Sequence, residues 1–331
     1  MKDILFALVG IVLVLQGADK LTDGSVALAR RFAIPELVIG LTVVAFGTSL
    51  PEFIVSLMAS IDGVAAMGIG NIVGSNIFNT LVIVGATAAV TPIAVQRSTI
   101  SKDIPFTILA SVVLAALALD QYLGAPGSED LLSRGDGIAL LGFFLVFLTY
   151  TMALARRGNS SSEVPSSDDT SASSPAASVS SEMPMWKVLL FILFGLAGLI
   201  FGGELFVNGA SGIARGLGVS DAVIGLTLVA GGTSLPELAT SIMAALKGRS
   251  GIAIGNVIGS NLFNIFWILG CCSLIQPMPV AGIRLLDFLM LLGSGVLFLF
   301  FSFTKSRIIR WEGLFLVLCY LGYIGWMLTH L

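Results

Sequence analysis

Two copies of one hexapeptide place a glutamate inside long apolar segments of the sequence. Gly-Thr-Ser-Leu-Pro-Glu ends at Glu52 and again at Glu237, near the middle of each segment. A charged side chain in such a segment is costly unless a partner compensates it. The proline before each glutamate lacks a backbone donor, so the helix is expected to break there and to free carbonyl groups. The pattern predicts two carboxylates that share a bound cation at paired helix breaks.

Neutral oxygen donors accompany each glutamate. Hydroxyl groups precede it in the hexapeptide, and the break is expected to expose backbone carbonyls, which at membrane depth must line a cavity or bind an ion. The predicted ligands of this kind are the hydroxyls of Thr48, Ser49, Thr233 and Ser234 and the carbonyls of Ala45 and Ala230.

Helix capping is the alternative role for these hexapeptides. Ser49-x-x-Glu52 and Ser234-x-x-Glu237 both match the capping box, in which the glutamate bonds to the start of its own helix. Such a box would still leave a negative charge in an apolar segment, and a glutamine would cap at lower cost. Cation binding is therefore the favoured interpretation.

A second polar cluster, Gly-Asn-x-x-Gly-Ser-Asn-x-x-Asn, follows each hexapeptide. Ser75 and Asn79 in the first copy, and Ser260 and Asn264 in the second, are four residues apart and so lie on one helical face. Small polar residues also join helices at close approach, and this explains the glycines. We interpret Ser75, Ser260, Asn79 and Asn264 as further ligands because they face the same region as the glutamates.

The complete predicted donor set consists of oxygen atoms. Calcium takes six to eight oxygen ligands, whereas soft transition metals require Cys, His or Met. The single histidine is His330, and Cys271, Cys272 and Cys319 lie in apolar sequence. Two glutamates supply a charge that one divalent or two monovalent cations would neutralise. The sequence therefore predicts that Ca²⁺ and Na⁺ bind as transported ions, with no cofactor.

The composition is that of a membrane protein. Charged residues make up 11% of the 331 residues, and the mean hydropathy is +0.99. The net charge of −3 gives no basis for nucleic-acid binding, and no feature indicates a protein partner. The lipid bilayer is the predicted surrounding of the chain. Apolar segments of spanning length predict ten transmembrane helices, with the second, third, seventh and eighth broken. The predicted spans are 4–29, 36–60, 65–90, 103–120, 136–155, 186–213, 220–246, 251–275, 284–303 and 311–328.

An internal repeat sets the architecture. Residues 40–85 and 225–270 align without a gap at an offset of 185, with 25 identical positions among 46. Each copy carries five spans, an odd number, so the second copy enters the membrane with opposite polarity. In such inverted repeats the substrate lies near the midplane on broken helices. We predict an all-α protein with a first repeat over 1–155, a Ser-rich linker over 156–185 and an inverted repeat over 186–331.

Lysine and arginine placement predicts the orientation, because cytoplasmic loops carry the excess of positive charge. One set of alternate loops holds twelve of these residues and the other set holds four. This bias predicts a protein of the cytoplasmic membrane with both termini outside and the linker in the cytoplasm.

The paired GTSLPE and GN-x-x-GSN-x-x-N motifs resemble the α-repeats of the cation/calcium exchanger superfamily, in its sodium/calcium exchanger branch, and most closely its minimal ten-helix members. The resemblance implies a sodium/calcium antiporter whose spans one and six slide across a core of the other eight. It also implies that Glu52 and Glu237 share the central ions, while the hydroxyl, carbonyl and amide groups named above complete the ligands. One departure is Asn264, where many family members have an aspartate, and this weighs against potassium co-transport.

Other functions remain open from the sequence. A proton/calcium antiporter would use the same glutamates to take up protons, and a potassium-dependent exchanger would need an additional site. A passive channel would also suit broken helices, although the inverted repeat favours alternating access. An intramembrane serine hydrolase would need a base, and no histidine lies within the predicted spans.

Overall fold

The structure is a computed structural model that describes residues 2–123, 130–160, 183–218, 230–280 and 282–329. Most of the predicted linker and residues 220–229 of the seventh predicted span lie outside the described residues. Helices occupy the described parts of the predicted spans, so the chain is mostly helical.

The first half contains a long helix followed by shorter helices that adjoin one another. Three stretches have π-helical geometry, numbered π1 to π3. The elements are α1 (Lys2–Arg31), α2 (Glu36–Ile39), π1 (Gly40–Val44), α3 (Ala45–Thr48), α4 (Leu50–Ile61), α5 (Ala65–Phe78), π2 (Asn79–Ile83), α6 (Val84–Val90), β1 (Ile93–Ala94), π3 (Thr99–Asp103), α7 (Ile104–Ala118), α8 (Asp120–Leu123), β2 (Leu131–Leu132) and α9 (Arg134–Ser160).

The second half follows the same plan within its described residues. Its elements are α10 (Met185–Gly216), α11 (Ala230–Thr233), α12 (Leu235–Leu246), α13 (Ser250–Leu262), π4 (Phe263–Ile268), α14 (Leu269–Ile275), β3 (Met278–Pro279), α15 (Leu285–Lys305), β4 (Arg307–Ile308) and α16 (Arg310–Thr329).

Length and hydropathy identify membrane spans among the described helices. Seven helices are long and apolar enough to cross a membrane, and the bent pair Glu36–Thr48 and Leu50–Ile61 raises the number to eight. The 47° bend of this pair confirms the predicted break in the second span. A break also separates α11 from α12 at Ser234, before Pro236.

The predicted breaks in the third and eighth spans are wrong. Ala65–Val90 and Ser250–Ile275 are each continuous helices of 26 residues. Glycine and asparagine do not remove a backbone donor as proline does, so the hydrogen-bonded helix continues. The irregularity is instead a π-helical stretch in each, and π2 begins at Asn79 while π4 contains Asn264.

Short strands modify the all-α prediction at two places. Ile93 pairs with Ile308 in the antiparallel pair β1–β4, and Leu131 pairs with Pro279 in the pair β2–β3. Each pair joins a loop of the first half to a loop of the second half. These contacts hold the loops of the two halves together at two ends of the helical body.

α1 and α10 pack against each other as a close pair. A Cβ atom added at Gly17 would lie 2.7 Å from the backbone nitrogen of Leu199, and one at Gly195 would lie 2.6 Å from that of Leu21. Glycine at such positions lets two helix backbones approach within the membrane. The largest buried apolar cluster lies elsewhere, among α5, α13, π4 and the helices around them.

Candidate cation site

Both glutamates are buried in the first turn of the helix that follows a break. Ser49 separates α3 from α4 and Ser234 separates α11 from α12, with a proline at the start of the second helix in each case. Glu52 is 0% exposed and Glu237 is 1% exposed. The breaks therefore direct two carboxylates, one from each half, into the protein interior.

The serine of each break bonds to the glutamate of the other half. Ser49 Oγ donates to Glu237 Oε1 at 2.9 Å, and Ser234 Oγ donates to Glu52 Oε1 at 2.9 Å. Neither serine caps its own helix through its side chain. The capping-box alternative is therefore contradicted, because the hydroxyls cross between the halves and bring both carboxylates to one place.

Several predicted ligands have oxygen atoms that are buried and have no hydrogen-bond partner. Unpaired polar atoms of this kind are costly, and water or an ion normally satisfies them. The atoms among the predicted ligands are Glu52 Oε2, Glu237 Oε2, Ser75 Oγ, Asn79 Oδ1 and Asn264 Oδ1. All five are oxygens, and they occur in both halves.

An amide network that joins the halves orients Asn79 and Asn264. Asn79 Nδ2 donates to Asn261 Oδ1 at 3.1 Å, and Asn264 Nδ2 donates to Asn76 Oδ1 at 2.8 Å. Asn76 Nδ2 bonds to the Asn261 carbonyl, and Asn261 Nδ2 bonds to Thr80 Oγ1. Since the nitrogen of each ligand amide is engaged, its oxygen remains available to a cation.

The network residues Asn76, Asn261 and Thr80 were not predicted to have a role. The repeated GSN-x-x-N motif already contained both asparagines, and their recurrence at the offset of 185 was a usable signal. Thr80 gave no such signal, because the corresponding residue in the second half is Ile265.

Three of the remaining predicted ligands, Thr48, Ser260 and Ala45, have hydrogen-bond partners in this conformer. Thr48 Oγ1 donates to Asn256 Oδ1 at 3.1 Å, and Ser260 Oγ lies 3.5 Å from Glu237 Oε1. The Ala45 carbonyl accepts the Ser49 backbone N–H at 3.0 Å, so it is not freed by the break. Thr233 and Ala230 both lie in α11, directly before the break at Ser234.

Asn256 is a further residue that the sequence interpretation did not single out. Its Nδ2 atom donates to the Glu237 carbonyl at 3.2 Å and to Ser241 Oγ at 3.0 Å, and its Oδ1 atom accepts from Thr48. It thus fixes the backbone at one glutamate and the threonine of the opposite half.

The two faces of the site are covered differently. Gly255 and Gly259 on α13 are buried, and a Cβ added there would lie 2.6 Å from the Leu37 carbonyl oxygen and from Ala45 Cβ, respectively. The corresponding Gly70 and Gly74 on α5 are exposed, and no atom of a described residue lies within 4 Å of an added Cβ. Among the described residues, α2, π1 and α3 cover the site at α13; residues 221–229, which correspond to α2 and π1 in the second half, lie outside the described residues.

The chemistry of this arrangement is that of a hard cation site. Two buried carboxylates lie with amide and hydroxyl oxygens, a set that suits Ca²⁺ or Na⁺. Among the residues that the structure describes, no group of three or more His, Cys, Asp or Glu side chains could hold a metal ion. The charge of the site thus comes from the glutamate pair, while neutral oxygens supply the other ligands.

Known proteins of similar sequence and structure include ion exchangers. The family profile described as "Sodium/calcium exchanger protein" matches residues 2–153 and 187–329. The chain is 32% identical to the sodium/calcium exchanger MaX1 of Methanosarcina acetivorans, over 97% of each chain, and 36% identical to the inner membrane protein YrbG of Escherichia coli, over 90% of this chain and 88% of YrbG. The sodium-calcium exchanger NCX_Mj, in a crystal soaked without Na⁺ and Ca²⁺, superposes with a TM-score of 0.80 at 33% identity, covering 98% of this chain and 99% of NCX_Mj. With nearly its whole length matched in sequence and in fold, and with a buried oxygen site at its centre, this chain belongs to the sodium/calcium exchanger family of membrane transport proteins.

Proposed function

We propose that this protein is a sodium/calcium antiporter that moves Ca²⁺ across the cytoplasmic membrane in exchange for Na⁺ by alternating access. The observation that carries the proposal is the pair of buried glutamates, one from each half, whose Oε2 atoms lack partners. Two uncompensated charges at this depth are unstable. The site must therefore be filled by one Ca²⁺, by Na⁺ ions or by protons before it is compatible with a closed conformation.

The requirement for a filled site explains coupling. A charge of −2 is neutralised by one Ca²⁺ or by two Na⁺, so either load allows the site to close and reopen on the other side. An empty site retains its charge and does not reorient. Ion exchange then follows without any chemical step, and the protein needs no cofactor and is not an enzyme.

The proposed ligands are the complete set predicted from the sequence. Those with unpaired oxygens in this conformer bind first, and those engaged in hydrogen bonds exchange these bonds for the ion. The Ala45 carbonyl would exchange the hydrogen bond that it accepts from Thr48 Oγ1 for the ion. The proposed ligand residues are Glu52, Glu237, Thr48, Ser49, Thr233, Ser234, Asn79, Asn264, Ser75, Ser260, Ala45 and Ala230.

The proposed topology has ten spans in two inverted repeats, 1–155 and 186–331, joined by the linker 156–185. The strand pairs support this topology. β1 and β4 belong to loops that the arginine and lysine count assigns to the cytoplasm, and β2 and β3 belong to loops assigned to the outside. Loops assigned to one side thus contact each other. Both termini are then outside and the linker is cytoplasmic.

Ion flux in reconstituted vesicles tests the proposal. Protein in sodium-loaded vesicles is diluted into sodium-free buffer, and uptake of radiolabelled Ca²⁺ is followed with and without a protonophore. Glu52→Gln and Glu237→Gln are compared with Asp103→Asn, a matched control at a buried carboxylate that bonds to Tyr150 away from the site.

We expect uptake that needs the sodium gradient, survives the protonophore, requires no K⁺ and is lost in both glutamine variants but retained in Asp103→Asn. Uptake driven by a pH gradient would reassign the protein as a proton/calcium antiporter, and a requirement for K⁺ would make it a potassium-dependent exchanger. Saturable flux without a counter-ion would point to passive transport. Absence of Ca²⁺ flux under every gradient would overturn the choice of Ca²⁺ as substrate.

A further inference from the structure

A lysine at the end of α12 connects the core of the site to α1. Lys247 Nζ lies 2.6 Å from Asp19 Oδ1 and 2.6 Å from Asp23 Oδ1, and it donates to the Asp19 carbonyl at 3.1 Å. Asp19 also pairs with Lys20 at 3.0 Å. One ammonium group therefore joins two carboxylates and a backbone carbonyl, all on successive turns of α1.

The other contacts between the α1–α10 pair and the broken helices include contacts between apolar groups. A Cβ added at Gly47 of α3 would lie 2.5 Å from Leu196 Cδ2 of α10. Such contacts between glycine and an aliphatic side chain have no preferred direction. Displacement of α10 along its axis therefore meets less resistance at these contacts than at a directional ion pair.

The ion pairs lie at the closed face of the site. Two residues after Lys247, Arg249 pairs with Glu36 at 2.9 Å, joining the start of α13 to α2. This is the region in which α2 covers Gly255, which is buried. The Lys247 pairs thus occur in a conformer in which α2 covers the site near Lys247.

The repeat does not provide the same contact at the opposite face. At the offset of 185, Lys247 corresponds to Asp62, Asp19 to Glu204 and Asp23 to Asn208. Asp62 and Glu204 are exposed and carry the same sign of charge. An attraction between α1 and α12 at one face therefore has no symmetric equivalent between α10 and α4 at the other.

We propose that Lys247, with Asp19 and Asp23, forms an ion-pair latch that favours the conformer closed at the Lys247 face, and that this latch must open in each transport cycle. This inference rests on alternating access in the proposed function. Lys247 is a positioning residue: it acts on the equilibrium between the two conformers and does not touch the ion.

The electrostatics keep the latch charged. Burial alone would lower the pKa of Lys247, but hydrogen bonds and charge interactions with Asp19 and Asp23 outweigh it and hold the pKa above its ordinary value. The lysine side chain is 27% exposed, so water screens part of the attraction. A modest, reversible bias between conformers is the expected consequence.

Ca²⁺ affinity measured separately at the two faces tests the latch. In vesicles of defined orientation, Lys247→Met is expected to strengthen the apparent Ca²⁺ affinity at the Lys247 face and weaken it at the opposite face, so that the ratio of the two affinities changes by about 5-fold. Asp23→Asn should give the same change with smaller size, and Lys247→Arg should keep the wild-type ratio. Lys20→Met is the matched control, because its ion pair with Asp19 lies within α1 and does not join α1 to α12, and it should leave the ratio unchanged.

Distances between spin labels give a second readout that does not depend on transport. Labels at Met67 on α5 and Leu217 after α10, both exposed, are placed in a chain whose native cysteines are replaced by alanine. Lys247→Met should add a second distance population that Lys20→Met does not add.

The outcomes separate this inference from the proposed function. Affinity changes of the same sign at both faces, or an unchanged distance distribution in Lys247→Met and Asp23→Asn, would overturn the latch while wild-type exchange persists. Loss of sodium-dependent Ca²⁺ flux in the wild type would instead refute the proposed function.

Discussion

The two halves of the site contain the same residues, but different neighbours cover them. Asn256 and Thr48 are fully buried and bonded to each other, and α2, π1 and α3 pack onto α13 around them. In the corresponding region of the other half, Asn71 is half-buried and bonds to Ser56. The glutamates show no such difference, since each accepts a hydrogen bond of the same length from the opposite serine.

This comparison distinguishes the features that both repeats share from the features that depend on the conformation of the protein. The crossed serine bonds to the carboxylates are the same in both halves, so the repeat accounts for them. The cover that α2, π1 and α3 form over α13 is described for one half, and under the proposed alternating access it would belong to one state of the cycle.

Replacing either glutamate should have the largest effect. Glu52→Gln and Glu237→Gln are each expected to weaken Ca²⁺ binding by roughly 100-fold or more, because breaking a buried charge pairing costs about 3 kcal/mol or more. The losses should be similar in size, since each carboxylate accepts a hydrogen bond of 2.9 Å from the serine of the opposite half. Isothermal titration with Ca²⁺ checks this, with Asp103→Asn as control. A tenfold or larger difference between the two variants would break the equivalence of the halves.

A methyl group added at Gly255 or at Gly70 should distinguish the face of the site that α2 covers from the face that no described residue covers. Gly255→Ala should destabilise the protein by about 1–3 kcal/mol, because the added Cβ overlaps the Leu37 carbonyl. Gly70→Ala should not lower the thermal unfolding midpoint, because alanine is the better helix former, but it should slow exchange, since the proposed cycle requires that face to close. Thermal unfolding followed by tryptophan fluorescence, together with flux, measures both. Equal destabilisation by both substitutions would contradict the difference in packing around Gly255 and Gly70.

The amide network should have a smaller effect. Asn261→Ala removes the acceptor of Asn79 and should weaken Ca²⁺ binding by about 5- to 10-fold, the usual range for a buried hydrogen bond that orients a ligand. Asn76→Ala removes the acceptor of Asn264 and should act similarly. Asn71→Ala is the matched control and should change affinity little. If the control lost as much affinity as Asn261→Ala, the network would have no special role in orientation.

The smallest effect is expected at Thr80, a residue of the amide network whose counterpart in the second half is apolar. Thr80→Val removes the acceptor for Asn261 Nδ2, while the second half already has Ile265 at this position. We expect a loss of less than about fivefold in Ca²⁺ affinity, in line with one neutral hydrogen bond. A loss as large as that of Glu52→Gln would place Thr80 among the ligands themselves.

Much of the site was predictable because each sequence motif occurs in both repeats. A single glutamate near a proline has several interpretations, but two at an offset of 185 with identical flanking residues predict one shared site. The break at Ser49 followed from proline chemistry, which is local. The partners of Ser49 and Ser234 were not predictable, because a capping box and a bond to the opposite half use the same side chain.

The parts that sequence patterns missed depend on tertiary packing. The helices continue through Asn79 and Asn264 because no proline interrupts them, but no sequence motif indicates their π-helical stretches. The contact of Lys247 with Asp19 depends on how α1 meets α12, and no motif indicates it. The engaged Ala45 carbonyl likewise reflects the hydrogen bonding of one conformer.

The number of Ca²⁺ ions bound per chain decides whether the two glutamates share one site. Equilibrium dialysis with radiolabelled Ca²⁺ in sodium-free buffer measures this number. If Glu52 and Glu237 share one central ion, Glu52→Gln, Glu237→Gln and the double variant should all lose the same bound Ca²⁺, and added Na⁺ should displace it from the wild type. If each single variant kept half of the bound Ca²⁺ and only the double variant lost all of it, the glutamates would form two independent sites and a shared central ion would be ruled out.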